Sequence, residues 1–133
     1  MPWQPRTGRY LSQESTAGAQ PLHEAGAYYI QEPSAMAAVA VLSPRPGERV
    51  LDLCPGGKST QIADALEGRG LLVSNEPVPS RAKILSRNLE RMGVTNGLVV
   101  SAEPEQLAPR WAGFFDAILV DAPCSGEGMF RRH

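Results

Sequence analysis

Short apolar runs alternate with helical spacings along most of this sequence, and that alternation restricts the fold more than any other feature. Val50, Leu51 and Leu53 open a strand over about 49–54, after the turn-forming "SPRPGE". "KSTQIADALEG" then places Ile62, Ala63 and Leu66 at helical spacing and predicts a helix over about 58–67, stopped at Gly68. "GLLVSNE" is a second strand ending at Glu76. In "SRAKILSRNLERMG", Ala82, Leu85, Leu89 and Met92 recur on one helical face, and Gly93 ends the helix. "GLVVSAE" is a third strand, "EPEQLAPRW" a short helical turn, and "FDAILVDAP" a fourth strand terminated by Pro123. The order β-α-β-α-β-α-β predicts an α/β fold with a doubly wound parallel sheet. Ahead of it, Glu32-Pro33-Ser34 opens a helix with Pro33 in its first turn and Met36, Val39, Ala40 and Leu42 as its apolar face. Residues 1–27 are rich in Pro, Gly, Gln and Ser and read as an irregular leading segment. After the fourth strand only "APCSGEGMFRRH" follows. Residues 28–133 therefore read as a partial domain, the first four strands with their helices, truncated before the last strands.

Length and composition exclude several classes. A chain of 133 residues makes one domain at most, and 42% apolar content allows a core. No apolar run approaches a membrane span, and "MPWQPRTGRYLSQ" carries no apolar signal region, so nothing points to export. Two cysteines, Cys54 and Cys124, make neither a disulfide framework nor a metal cluster, which fits free thiols in a reducing, cytoplasmic setting. His23 and His133 have no neighbours that suggest a metal. A net charge of −1 argues against a free-standing nucleic-acid binder, since phosphate contacts demand a basic face. Eleven of the thirteen basic residues are arginines, which clamp phosphate with two hydrogen bonds.

The stretch "VLDLCPGGKST" ends like an ATP-binding phosphate loop, but its spacing is wrong. That loop needs a glycine five positions before Gly57, and the residue there is Asp52, whose carboxylate would repel a polyphosphate. The glycines instead form a strand-to-helix turn at the edge where open α/β sheets bind ligands. An acid at such a turn suits a ligand with cationic groups and no phosphate, such as S-adenosylmethionine. Asp52, Glu76 and Asp121 fall at strand ends, and Glu103 falls just after another, so all four can line one crevice. Glu76 follows the glycine turn by about 20 residues, the distance at which an acid accepts hydrogen bonds from ribose hydroxyls. The competing reading is that strand-end acids cap neighbouring helices. In "DAPCSGEG", Pro123 and Gly126 fix a tight loop with Cys124 at the crevice mouth, where a thiolate can act as nucleophile; the alternative is a small residue packed under the loop. Cys54, at the end of a buried strand, reads as a core residue. Arg131 and Arg132 can touch phosphate. Arg81, Arg87 and Arg91 read as a solvated helix face, although Arg81 is also counted among the donor-binding candidates.

"YYIQEPSAM", "VLDLCPGGKSTQIA", "SNE…SRAKILSRNLERMGV" and "FFDAILVDAPCSGEGMFRR" together resemble the Sun/Fmu family of RNA cytosine-5 methyltransferases, with most similarity to the bacterial small-subunit methyltransferase F type. The likeness runs from about Leu22 to Arg132; "DAPCSGEGMFR" is very specific and "PGGK" moderately so. It implies a Rossmann-like S-adenosylmethionine-dependent methyltransferase fold and RNA as substrate, ribosomal first and transfer RNA second. It implies no membrane and no metal. By resemblance Cys54, Pro55, Gly56, Gly57 and Lys58 approach the methionine part of the donor. Glu76 holds the ribose, Glu103 lies near the adenine, and Asp121 lines both donor and base. With Asp52 and Arg81 these form the expected donor site, and Cys124 and Asp121 the expected catalytic pair.

Two departures stand out. Relatives usually read Asp-x-Cys/Ala-Ala-Ala-Pro-Gly-Gly-Lys, and this chain is two residues shorter, ~7 Å of extended backbone. The cysteine that attacks the base lies, in the family, in a later Thr-Cys motif that does not occur here; the family's Pro-Cys cysteine, matched by Cys124, helps release product. The chain alone is therefore expected to be inactive. The rivals are a non-catalytic donor- or RNA-binding remnant and a DNA cytosine-5 methyltransferase, in which the Pro-Cys cysteine is itself the nucleophile.

Overall fold

The computed structural model describes residues 19–21, 33–53 and 58–120. Most of the leading segment, the glycine turn at 54–57 and everything from Asp121 onward lie outside them. Among the described residues eight elements follow in chain order: α1 (Pro33–Leu42), β1 (Arg49–Asp52), α2 (Lys58–Leu66), β2 (Leu71–Asn75), α3 (Pro79–Arg91), β3 (Gly97–Val100), α4 (Pro104–Trp111) and β4 (Ala117–Leu119). The strands form one sheet in the order β3-β2-β1-β4, and every pairing is parallel. The expected α/β alternation is thus present, with its direction reversing between β1 and β4.

Alternate strand residues point to opposite faces. Val50 of β1, Leu72 of β2 and Leu119 of β4 share a core with Val39 of α1, Ile62, Ala63 and Leu66 of α2, and Leu85 and Leu89 of α3. Three helices therefore cover one face. Each fully buried Leu or Ile there contributes about 1.5–3 kcal/mol relative to exposure. On the opposite face Leu51 and Val73, in the two central strands, are buried, while Leu98 of β3 and Ile118 of β4, in the outer strands, are about half exposed at 48% and 50%. Leu107 of α4 is buried outside the main cluster.

Several boundaries differ from the sequence reading. β1 ends at Asp52, two residues early, although the Leu53 N–H still donates to the Leu119 carbonyl at 3.0 Å. The chain must leave the sheet there in order to start α2 at Lys58. On α1 the inward stripe is Ala38, Val39 and Leu42, and Ala40 is turned outward rather than forming part of the apolar face. The segment read as a short helical turn is an eight-residue helix, α4. A capping box between Glu103 and Gln106 closes its start, and Pro109, which lacks the N–H for one helical hydrogen bond, lies inside it.

At the amino edge the approaches to β1 and β2 are joined. Gly47 N–H donates to Arg69 O at 3.2 Å and Leu71 N–H to Glu48 O at 3.0 Å. Gly70 sits between them at φ +87°, and a Cβ there would run into the Glu48 carbonyl and the Gly47 backbone. Further along the same edge, Arg49 donates its backbone N–H to Asp116 Oδ2 at 2.8 Å and lays its guanidinium 4.7 Å from the centre of the Phe114 ring.

Two predictions follow from this edge. Gly70→Ala should destabilise the fold by at least about 2 kcal/mol, through a forbidden dihedral and a backbone clash together, as measured by urea unfolding. The Asp116 carboxyl is held below its ordinary 3.8, first by the Arg49 backbone N–H and then by the Arg49 side chain. A lowered folded-state value gives a contribution that is complete above the ordinary value and is lost as pH falls through the folded one. Asp116→Asn should therefore be less stable than the parent at neutral pH, and the two unfolding curves should converge in acid below that range.

Candidate functional site

Because the strands are parallel, their carboxyl ends share one edge, and the acids that end or follow β1, β2 and β3 lie along it. Asp52 closes β1, Glu76 follows β2, and Glu103 stands three residues after β3. They occupy three neighbouring strands, and each is held differently.

Asp52 is fully buried and lies in register with Ser74 of β2. Ser59, in the first turn of α2, reaches down to both. Its hydroxyl donates to Asp52 Oδ2 at 2.8 Å and lies 2.7 Å from Ser74 Oγ. A serine hydroxyl carries one hydrogen, so with Ser59 donating to Asp52, the bond between the serines must be donated by Ser74. The result is a chain of hydrogen bonds running from Ser74 to Ser59 to Asp52 Oδ2. It holds the start of α2 to the ends of the two central strands.

Glu76 is 8% exposed. Its N–H donates to Val100 O at 2.9 Å, extending the β2–β3 pairing, and its Oε1 accepts from the Val78 N–H at 3.1 Å at the entry to α3. The carboxylate is thus folded over its own loop with acceptor capacity remaining, since an ionised carboxylate accepts about four hydrogen bonds. Glu103 is exposed and serves as N-cap of α4, with its N–H donating to Gln106 Oε1 at 3.1 Å. Here the capping reading of a strand-end acid applies, alongside whatever the exposed carboxylate meets from solvent.

Asn75 was not singled out by the sequence reading. It is fully buried at the end of β2, and its carboxamide brackets one residue of the neighbouring loop: Nδ2 donates to Ala102 O at 2.9 Å and Oδ1 accepts from Ala102 N–H at 3.1 Å. Ser101 Oγ adds a bond to Pro77 O at 3.2 Å. The signal available was the polar pair Ser74-Asn75 closing an otherwise apolar strand; polar side chains buried at a strand end need partners.

Lys58 is the half-buried first residue of α2, and Arg81 stands exposed in the first turn of α3. Cys54, Pro55, Gly56, Gly57, Asp121 and Cys124 lie outside the described residues. Of the expected site, the structure therefore brings Asp52, Lys58, Glu76, Arg81 and Glu103 to one edge. Among the described residues no group of three or more His, Cys, Asp or Glu could hold a metal, and no helix is long and apolar enough to cross a membrane. A separate groove of about 220 Å³ lies between the carboxyl half of α2 and residues Met92–Asn96, and none of the expected site residues lines it.

The model of the 16S rRNA methyltransferase RsmB/F family matches residues 39–133. The chain belongs to this family. Among curated relatives, the ribosomal RNA small subunit methyltransferase F of Pectobacterium carotovorum is 44% identical over 114 residues, 83% of this chain and 24% of that protein. The 28S rRNA (cytosine-C(5))-methyltransferase of Mus musculus is 40% identical over 117 residues, 86% of this chain and 15% of that protein. This RsmB/F chain thus spans a quarter or less of the length of those relatives. The crystal structure of NSun6 from Pyrococcus horikoshii with SFG superposes with a TM-score of 0.73 at 32% identity, covering 80% of this chain and 28% of that one. The sheet is that of Rossmann-like methyltransferases.

The buried hydroxyl chain generates a direct test. Ser59→Ala removes the donor to Asp52 Oδ2 and the acceptor for Ser74, and should cost about 1–3 kcal/mol of stability. Ser59→Thr keeps the hydroxyl and should recover most of it; chemical denaturation of both variants measures the difference.

Proposed function

We infer that this chain supplies the donor-binding part of an enzyme that transfers a methyl group from S-adenosylmethionine to carbon 5 of cytosine in RNA, ribosomal RNA first. The observation that carries the reading is the acidic carboxyl edge, Asp52, Glu76 and Glu103 on three adjacent parallel strands, in a chain of the RsmB/F family. Its relatives are named as ribosomal RNA methyltransferases, several of them as cytosine-C(5) enzymes. NSun6 was solved with SFG, an S-adenosylmethionine analogue. An edge of carboxylates fits a ligand with an ammonium and a sulfonium and would repel a polyphosphate. No DNA enzyme is among the relatives named above, which favours RNA over DNA. A cytoplasmic location goes with this reading, and transfer RNA stands second as substrate.

When bound, S-adenosylmethionine supplies an electrophilic methyl group on sulfur. The chain's own residues bind and orient. Glu76 accepts hydrogen bonds from the two ribose hydroxyls with the acceptor capacity that Val78 leaves. Glu103 faces the adenine. Asp52, fixed by Ser59, sets the electrostatics of the glycine turn of Cys54, Pro55, Gly56 and Gly57, with Lys58 leading into α2, and Arg81 flanks the same edge. Cytosine must leave its stack to be reached. Thiolate addition at its carbon 6 makes carbon 5 nucleophilic, and that thiolate comes from neither Cys54 nor Cys124 in this reading. Cys124 acts later, in the elimination that frees product, and Asp121 stabilises charge at the ring nitrogen. Residues 28–133 are the corresponding partial methyltransferase domain, and 1–27 its leading segment. The glycine turn, two residues short of the family pattern, favours one alternative, a remnant that no longer binds donor.

Calorimetric titration with S-adenosylmethionine, with ATP as control, tests the reading. Saturable binding of the donor and not ATP is expected, and Glu76→Gln should weaken it about tenfold or more by removing a charged acceptor. A folded chain that takes up no donor would favour the remnant.

A further inference from the structure

We propose that Asn75 is a positioning residue for the adenosyl half of the donor: its buried carboxamide clamps Ala102 and so fixes Glu103 opposite Glu76 before any ligand arrives. This rests on the reading that Glu76 and Glu103 receive the adenosine.

A fully buried asparagine whose donor and acceptor both go to a single residue acts as an inserted peptide group. It continues the β2–β3 pairing one step past the end of β3 at Val100, where backbone pairing alone stops after the bond from Glu76 N–H to Val100 O. Ser101 Oγ on Pro77 O ties the same two loops from the solvent side at 3.2 Å. The chain from Asn75 to Val78 and the chain from Ser101 to Glu103 therefore move as one unit. Glu76 and Glu103 are the acidic residues of that unit. Each directly follows a clamped residue, Asn75 in one case and Ala102 in the other, so the spacing of the backbone positions that carry the two carboxylates is inherited from the clamp. Binding geometry is worth most when it exists before the ligand, because no ordering cost is then charged to binding.

A purely structural role would lower stability and weaken all ligands alike. A positioning role changes discrimination at the base. Adenine presents an amino group to an acceptor at Glu103; hypoxanthine presents a carbonyl oxygen, which a carboxylate repels. The parent chain should prefer S-adenosylhomocysteine over S-inosylhomocysteine. Asn75→Ala should cut that preference about tenfold, the scale of one hydrogen bond to a charged group. In the ligand-free chain the same variant should speed amide exchange at Ala102 about tenfold or more, with β1 and α3 unchanged. Should Asn75→Ala fail to fold, Asn75→Ser, whose hydroxyl is too short to bracket both groups, carries the same two measurements. Unchanged exchange at Ala102 would overturn the clamp. Faster exchange with an unchanged base preference would overturn the positioning role and leave a structural one. If the parent binds neither nucleoside compound, the donor reading fails and this inference fails with it, while the exchange data still report whether the clamp exists.

Discussion

Everything at the carboxyl edge depends on the parallel pairing of four strands. Parallel strands need a crossover for each return, so every strand ends on the same side and every helix begins there. The edge thereby collects strand-end side chains and helix amino termini at once. Glu76 receives the Val78 N–H at the entry to α3, and Glu103 opens α4. Had any strand run the other way, its acid would have gone to the amino edge, among the tight Gly47–Gly70 and Arg49–Asp116 contacts.

The two edges are built on different principles. At the amino edge backbone contacts leave no room for a side chain at Gly70, and the side-chain contacts beside them, Arg49 with Asp116 and Phe114, are exposed. The carboxyl edge is closed by side chains: Ser59 and Ser74 on Asp52, Asn75 on Ala102, Ser101 on Pro77. Buried polar groups stabilise less than apolar ones of the same size, and each is destabilising if its partner is lost. Their concentration at one end of an otherwise apolar core, beneath Val50, Ile62, Leu66 and Leu72, marks an edge shaped for something other than packing.

The fold was legible because periodicity is a local signal. Leu85 and Leu89 on α3, and the apolar run at β2, declare their elements without reference to the rest of the chain. Glu76 was legible for a similar reason, as an acid at a fixed interval after a glycine turn. Boundaries were less so: β1 stops at Asp52 because α2 must begin at Lys58, a requirement of the connection and not of the strand. Asn75 and the Ser59–Ser74 pair were not legible as partners. Their bonds join residues 27 and 15 positions apart, and only the register of β2 with β1 and the approach of the residue 101–103 loop bring them together. Glu103 was legible as an acid after a strand and, in the competing reading, as a helix cap, although the length of α4 was underestimated.

The three acids are not interchangeable. Asp52 is fully buried, and Ser59 donates to its Oδ2. Glu76 is nearly buried and uses Oε1 on its own loop, with acceptor capacity remaining on the carboxylate. Glu103 is exposed, and its capping role restrains the backbone more than the carboxylate. Burial of these acids therefore increases from the outer strand β3 inward to β1, while the backbone that carries Glu103 is held by the Asn75 bonds to Ala102.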